Sequence, residues 1–117
     1  MLTRLLWALL LSVLSAPIHA QAIVATTIAQ GLNHPWALAF LPNGHFLITE
    51  RAGALRVVDA GGKISPPVAG LPEIAVGGQG GLLDVALHPN FARNTLVYLS
   101  YAAEGTGGYG TEVLRGR

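Results

Sequence analysis

Apolar runs of about five to seven residues alternate along the chain with clusters of Gly, Pro and Asn. This spacing is typical of short β-strands joined by turns, and no run follows the 3.6-residue period of an amphipathic helix. The pattern therefore predicts an all-β protein with one long loop over residues 66–81. The predicted strands cover residues 23–28, 36–40, 46–50, 55–59, a short stretch near Ile64, 82–87, 95–101 and 112–117.

A repeat organises these strands. The segment ALAFLPN (37–43) recurs as DVALHPN (84–90), 47 residues later, with its Ala, Pro and Asn at the third, sixth and seventh positions unchanged. A period of roughly 40–50 residues with about four strands per unit is typical of a β-propeller blade. Because propellers close with roughly four to eight blades, the two predicted blades indicate the truncated N-terminal part of a longer domain. We expect the strand at 23–28 to complete the last blade of that ring.

Residues 1–20 have the three parts of a secretory signal peptide. Arg4 supplies a positive start, residues 5–15 form an apolar stretch, and Ala20 is the small residue after which we expect cleavage. A membrane anchor is the alternative, but spanning a bilayer takes about 20 apolar residues. The chain has no cysteine, which excludes disulfides and a lipid anchor on a cysteine. We therefore expect residues 21–117 to be secreted into a bacterial periplasm, with no membrane span after cleavage.

The predicted mature segment is close to electrically neutral. The whole sequence has 7 Lys and Arg against 6 Asp and Glu, and cleavage of the leader removes Arg4. No stretch of the sequence concentrates basic residues, which binding to a nucleic acid would require. The sequence therefore excludes a nucleic acid as the partner.

The glycine-rich stretch VGGQGGLLDVALHPNF (76–91) is the strongest candidate for a binding site. Glycines let the backbone approach a ligand closely, and the amide of Gln79 among them is a good hydrogen-bonding group. If 66–81 joins the outer strand of one blade to the inner strand of the next, Gln79 lies near the mouth of the central channel. The alternative is that Gln79 caps backbone groups of its own loop, and the pattern alone favours neither.

The histidines show no spacing typical of a metal site. His34, His45 and His88 are far apart in the sequence, and no Asp or Glu joins them in a ligand cluster. His34 and His88 each precede a proline at a strand boundary, which favours a structural role for both. The glycines around Gln79 also lack the third glycine and the following helix of a dinucleotide-binding loop.

Two carboxylates lie close to apolar strands. Glu50 ends a predicted strand and is followed by Arg51, and Asp84 lies inside an apolar strand. A buried carboxylate must find partners or face water, so Asp84 either faces the channel or bonds neighbouring backbone; we favour the second. No Ser-His-Asp set or pair of catalytic carboxylates can be assembled from this sequence.

The motifs GLNHPWALAFLPNGHFLITERAGALRVV, GGQGGLLDVALHPNF and LVYLSY occur in this order within residues 31–115. Together they resemble the N-terminal part of the soluble sugar dehydrogenases that depend on pyrroloquinoline quinone (PQQ), the glucose/sorbosone dehydrogenase family, and most of all its aldose sugar dehydrogenase branch. The resemblance implies a six-bladed propeller with PQQ on its top face and calcium helping to hold it. The reaction it implies is oxidation of the anomeric hydroxyl of an aldose to the lactone, with an external electron acceptor.

The resemblance assigns one residue of this chain to the site. Gln79 matches the family's glutamine that contacts the cofactor or substrate region. The catalytic histidine, the calcium ligands and the groups that grip the quinone carboxylates belong to later motifs, so we expect no catalytic or metal-binding residue here and no activity of this segment alone. Two other functions remain open: a non-catalytic binding propeller and a lactonase-type propeller that hydrolyses esters around a metal.

Overall fold

The computed structural model describes residues 20–117, so the predicted leader lies, except for Ala20, outside the described residues. Within this range six strands form two three-stranded antiparallel sheets, ordered β1-β2-β3 and β4-β5-β6. The elements are β1 (Pro35–Phe40), β2 (Phe46–Glu50), β3 (Ala54–Val58), β4 (Leu82–Leu87), α1 (Phe91–Asn94), β5 (Val97–Gly105) and β6 (Gly108–Gly116). The all-β class predicted from the sequence is confirmed. None of the helices in this range is long and apolar enough to cross a membrane.

The two sheets pack against each other around one apolar core. Successive side chains of a strand point to opposite faces, so alternate residues of each sheet enter this core. Leu47 and Leu55 of the first sheet meet Leu82, Val85 and Leu99 of the second, and all five are buried. Strand β4 provides most of the contact because it lies against both β1 and β2.

The predicted repeat is confirmed in three dimensions. Each sheet begins with a strand whose register shifts near its start, and in each a hydroxyl fills the gap that this irregularity leaves. In the first sheet the Ala37 N–H donates to Thr49 Oγ1 at 3.0 Å; in the second the Asp84 N–H donates to Ser100 Oγ at 3.0 Å. The two units therefore share their irregularity as well as their regular strands, as repeated blades of a propeller do.

The strand predicted at 23–28 is wrong for this structure. Residues 20–32 form no strand, and Ile23 and Val24 are 98% and 84% exposed. A strand is stable only when a neighbouring strand pairs with its backbone groups. Neither sheet of the described range pairs with this segment, so its β-forming composition does not produce a strand.

The fourth strand expected near Ile64 is reduced to one isolated bridge with Val58. The chain still follows the edge of β3, since the Ser65 N–H donates to the Val57 carbonyl and the Val68 N–H to the Leu55 carbonyl, both at 2.8 Å. Pro66 and Pro67 lie between these two donors and have no N–H group of their own. The two prolines therefore interrupt the ladder and prevent a regular strand.

Candidate functional site

Gln79 lies in a tight turn between Gly77 and Gly80, inside the predicted loop. The Gly80 N–H donates to the Gly77 carbonyl at 2.7 Å, and the Gly77 N–H donates back at 3.3 Å. Gly78 has a φ of +56°, and Gln79 has a negative φ, the combination found in type II′ turns. The Gln79 side chain is exposed. The turn therefore presents this amide at the surface, where a ligand can reach it.

The turn is attached to the first sheet at Arg51. The Arg51 guanidinium donates from Nη1 to the Gly78 carbonyl, and the Leu82 N–H donates to the Arg51 carbonyl at 3.0 Å. A Cβ at Gly81 would lie 2.3 Å from the Arg51 carbonyl oxygen, so only glycine permits this approach. The loop therefore lies directly on the residue that follows β2.

The second sheet holds the same loop from the other side. The Ala75 N–H donates to the Ala102 carbonyl at 2.8 Å, and the Ala102 N–H donates to the Gly81 carbonyl at 2.9 Å. These bonds flank the turn, one before it and one after it. The backbone that carries Gln79 is thus tied to both sheets within a few residues.

An open groove of about 1220 Å³ lies next to this turn. Residues 73–77 form one wall and the ends of β5 and β6 form the other, with Gly80 at the boundary. The residues that line it include Glu73, Glu104 and Tyr109. The structure places Gln79 beside this groove and not among the residues that line it.

Glu50 forms a buried ion pair behind Arg51. Its Oε2 accepts from Arg56 Nε at 2.9 Å and its Oε1 accepts from the Asn33 N–H at 2.7 Å, with Glu50 only 3% exposed. Burial acts to raise the pKa of Glu50, but the Asn33 N–H and the Arg56 guanidinium outweigh it and hold the pKa below its ordinary value. Glu50 is therefore a paired carboxylate that stabilises the end of β2, and it is not placed to act as a general acid.

The structure gives His88 the structural role that we favoured. His88 Nδ1 accepts from the Asn90 N–H at 3.0 Å and lies 2.9 Å from Asn94 Nδ2, which fixes the turn and the short helix α1. Its ring stacks on Tyr98 with 6.2 Å between centroids. His88 is therefore occupied by its own turn.

His34 is also structural, and through its backbone. It adopts a left-handed φ of +48°, and its carbonyl accepts the Arg51 N–H at 3.0 Å. His45 lies in the turn before β2, where its N–H donates to Asn43 Oδ1 at 3.1 Å. Within residues 20–117, no three His, Asp or Glu side chains are grouped to hold a metal ion.

Asp84 bonds neighbouring backbone, which was the favoured alternative. Its Oδ1 accepts the Val85 N–H at 2.8 Å, next to the bulge of β4, and the residue is exposed. Its own N–H is bonded to Ser100, as described above. The structure does not bring Asp84 together with Gln79.

Sheets of this kind, repeated at a fixed period and packed one against the next, define the chain as part of a β-propeller. Residues 32–117 match the family model described as glucose/sorbosone dehydrogenase. The chain belongs to this family, and the resemblance noted in its sequence motifs is confirmed.

The relatives include proteins named as sugar dehydrogenases. The chain is 50% identical over 101 residues to the aldose sugar dehydrogenase YliI of Escherichia coli, covering 84% of this chain and 27% of that protein. The apo structure of the soluble E. coli aldose sugar dehydrogenase matches with a TM-score of 0.74 and 49% identity, over 79% of this chain and 27% of that one. The PQQ-bound aldose sugar dehydrogenase of Streptomyces coelicolor matches with a TM-score of 0.71 and 34% identity, over 80% of this chain and 27% of that one. The chain therefore spans about a quarter of the length of these relatives.

Arg51 is the residue of this region whose importance the sequence did not reveal. In sequence it only follows the end of a strand, whereas its side chain bonds the Gly78 carbonyl, 27 residues further on. A contact of this range between a side chain and a backbone carbonyl leaves no periodic pattern in a single sequence.

Proposed function

We propose that this chain is the N-terminal part of a longer PQQ-dependent dehydrogenase that oxidises the anomeric hydroxyl of aldoses to lactones. In this proposal residues 1–20 direct export to the periplasm, and Gln79 contacts the sugar or the quinone. The complete polypeptide that carries this segment is called the full-length protein. The single observation that supports the proposal most is the exposed Gln79 amide on a turn fixed to two blades, in a chain of this family.

The exposed faces support the larger architecture. Leu38 and Phe40 of the first sheet are 47% and 73% exposed, and Trp36 is 49% exposed. The residues one repeat later, Val85 and Leu87, pack into the core between the two sheets. An exposed row of large apolar residues is a binding surface in a soluble protein, so we infer that a further blade of the full-length protein covers it.

The chemistry needs groups that this segment supplies only in part. Oxidation of the anomeric alcohol removes a proton from the hydroxyl and a hydrogen with two electrons from the carbon. PQQ, when bound, supplies the acceptor for those two electrons. The Gln79 amide has two donors and one acceptor without a net charge, so it can orient a sugar hydroxyl or a quinone oxygen.

Calcium and the general base belong, in this proposal, to other parts of the full-length protein. The described range 20–117 groups no three acidic or histidine side chains that would suit calcium. His88 is held by its own turn and is not a substitute for the missing base. An external acceptor would then take the electrons from the reduced cofactor.

The test measures the activity of the full-length protein with PQQ and calcium added. Reduction of a dye is recorded with each of a series of aldoses as the substrate. We expect Gln79→Ala to lower kcat/KM at least tenfold, which corresponds to about 1.4 kcal/mol and lies within the roughly 1–3 kcal/mol that losing one such hydrogen bond costs. Gln30→Ala is the matched control, since Gln30 is also exposed but lies outside both sheets.

Three outcomes would overturn parts of this proposal. Unchanged kinetics in Gln79→Ala would remove Gln79 from the site. Hydrolysis of lactones without quinone would favour a metal-dependent hydrolase. Binding of sugar with no electron transfer to any acceptor would favour a non-catalytic binding propeller.

A further inference from the structure

The peptide unit between Gly78 and Gln79 is held by a side chain from the other blade. The Gly78 carbonyl, which immediately precedes Gln79, accepts the hydrogen bond from Arg51 Nη1. The other bonds of the turn join Gly77 to Gly80, and neither of them involves this central peptide. The Arg51 bond therefore holds the peptide unit whose orientation determines the position of the Gln79 Cα and the direction of its side chain.

Arg51 is itself fixed at both backbone groups. Its N–H donates to the His34 carbonyl and its carbonyl accepts the Leu82 N–H, each at 3.0 Å. The missing Cβ of Gly81 lets the loop lie on the Arg51 backbone and on its Cγ. The guanidinium thus projects from a backbone that is fixed on both sides.

The neighbouring acid does not compete for Arg51. Glu50 directs both of its oxygens elsewhere, to Arg56 and to the Asn33 N–H. Within residues 20–117 the one ion pair is that between Arg56 and Glu50. The Arg51 guanidinium is therefore available to the glycine turn.

We infer that Arg51 is a positioning residue, whose bond to the Gly78 carbonyl fixes the turn that presents Gln79. This inference rests on the proposed role of Gln79 in sugar oxidation. Gly78 has no Cβ and can adopt a wide range of φ and ψ, so the turn alone does not fix the orientation of the central peptide. Arg51 selects one orientation of that peptide and so limits where the Gln79 amide points. The residue acts through Gln79 and need not touch the substrate.

The kinetic test is a double-mutant cycle in the full-length protein, with Arg51→Met, Gln79→Ala and the double variant. Methionine keeps the apolar stem beside Gly81 and removes the donors. We expect Arg51→Met to lower kcat/KM at least fivefold and Arg51→Lys to lie between it and the wild type. The double variant should match Gln79→Ala within a factor of about two, because the two residues act as one unit. Multiplied effects would instead mean that Arg51 acts independently, and would overturn the inference.

A second measurement does not depend on sugar oxidation. Hydrogen exchange, followed by mass spectrometry on peptides that cover residues 75–82, should be faster in Arg51→Met than in the wild type. Arg93→Met is the matched control, because Arg93 lies in the exposed helix α1. Unchanged exchange in Arg51→Met would overturn the inference even if the enzyme is active. If the wild type oxidises no sugar but exchange increases as expected, the proposed function fails and the positioning contact stands. If Arg51→Met does not fold, kcat/KM and hydrogen exchange are both measured on Arg51→Lys, which keeps the charge. Wild-type values of both in Arg51→Lys would then overturn the inference.

Discussion

The Thr49 hydroxyl donates a hydrogen bond to the Leu83 carbonyl at 2.6 Å and so joins the two sheets directly. Thr49 is fully buried, and the same oxygen accepts the Ala37 N–H at 3.0 Å. One hydroxyl therefore satisfies two backbone groups, one in its own sheet and one in the next. The equivalent hydroxyl in the second sheet belongs to Ser100, which also accepts the N–H at the bulge.

Thr49→Val should destabilise the full-length protein strongly although the shape of the side chain is kept. The substitution leaves the Ala37 N–H and the Leu83 carbonyl without this partner, and both residues are half-buried. A fully buried group of this kind costs about 1–3 kcal/mol, so two groups that keep some access to water should lower the free energy of unfolding by roughly 2–4 kcal/mol. Thr49→Ser keeps the hydroxyl and loses one methyl group, for a loss of about 1 kcal/mol. Urea unfolding measures both, with Thr111→Val on exposed β6 as the control. Equal losses for Val and Ser would contradict the role of the hydroxyl.

Most of the sheet structure could be predicted because it repeats. The 47-residue repeat placed both first strands, and the apolar runs placed the strands that carry core residues such as Leu47 and Val85. The loss of the fourth strand was not predictable in the same way, because it depends on which backbone groups face β3. Ser65 and Val68 donate to β3, but Pro66 and Pro67 between them have no N–H with which to continue the ladder. The segment 23–28 has a strand-like composition, but composition does not supply a partner strand.

Only the part of the candidate site formed by residues adjacent in sequence was predictable. The glycines around Gln79 are visible in the sequence because a tight turn requires them at adjacent positions. The contact with Arg51 is not, because it joins two blades and depends on how they pack. The β5–β6 hairpin, which forms one wall of the groove, was also expected to be shorter: glycines at 105, 107, 108 and 110 interrupt the apolar pattern, yet the backbone pairs as far as Gly105 and Gly108.

The stabilisation that the Glu50–Arg56 pair contributes should be lost in acid. The folded pKa of Glu50 lies below its ordinary value of 4.5 because the Asn33 N–H and Arg56 outweigh the opposing effect of burial. A lowered folded pKa stabilises the fold at pH above the unfolded pKa, and this stabilisation is lost as the pH falls through the folded value. The contribution of Glu50 should therefore be complete at pH 7 and decrease below about pH 4.5.

The measurement compares urea unfolding of the wild type and Glu50→Gln from pH 7 to pH 3. At pH 7 the variant should be less stable by about 1–3 kcal/mol, less than for a fully buried pair because the Arg56 side chain is 24% exposed. The difference should shrink as the pH falls, since a protonated Glu50 resembles glutamine. Glu73→Gln, on the exposed loop, controls for loss of charge alone. A difference that stays constant with pH would contradict the assignment.

Gly81→Ala should disturb the loop that carries Gln79. The new Cβ would lie 2.3 Å from the Arg51 carbonyl oxygen and 2.7 Å from its Cγ, so either the loop or Arg51 must move. We expect a loss of about 1–3 kcal/mol in unfolding free energy, together with lower sugar oxidation if Gln79 contacts the site. Gly77→Ala is the control within the same loop, because a Cβ there meets nothing within 4 Å and its φ is not left-handed. A Gly81→Ala variant as stable as Gly77→Ala would show that the loop does not need this close approach.

The proposed export of the protein predicts a defined N-terminus. If residues 1–20 are a signal peptide, as we propose, a signal peptidase should cleave after Ala20 and the mature protein should begin at Gln21. Expression of the full-length gene in a bacterium, followed by separation of periplasm and cytoplasm and N-terminal sequencing, measures this directly. Ala20→Leu places a large side chain before the cut and should leave uncleaved precursor at the membrane, whereas Gln30→Ala should have no effect on processing. Recovery of an intact N-terminus at Met1 in the cytoplasm would mean that residues 1–20 are not a cleaved leader.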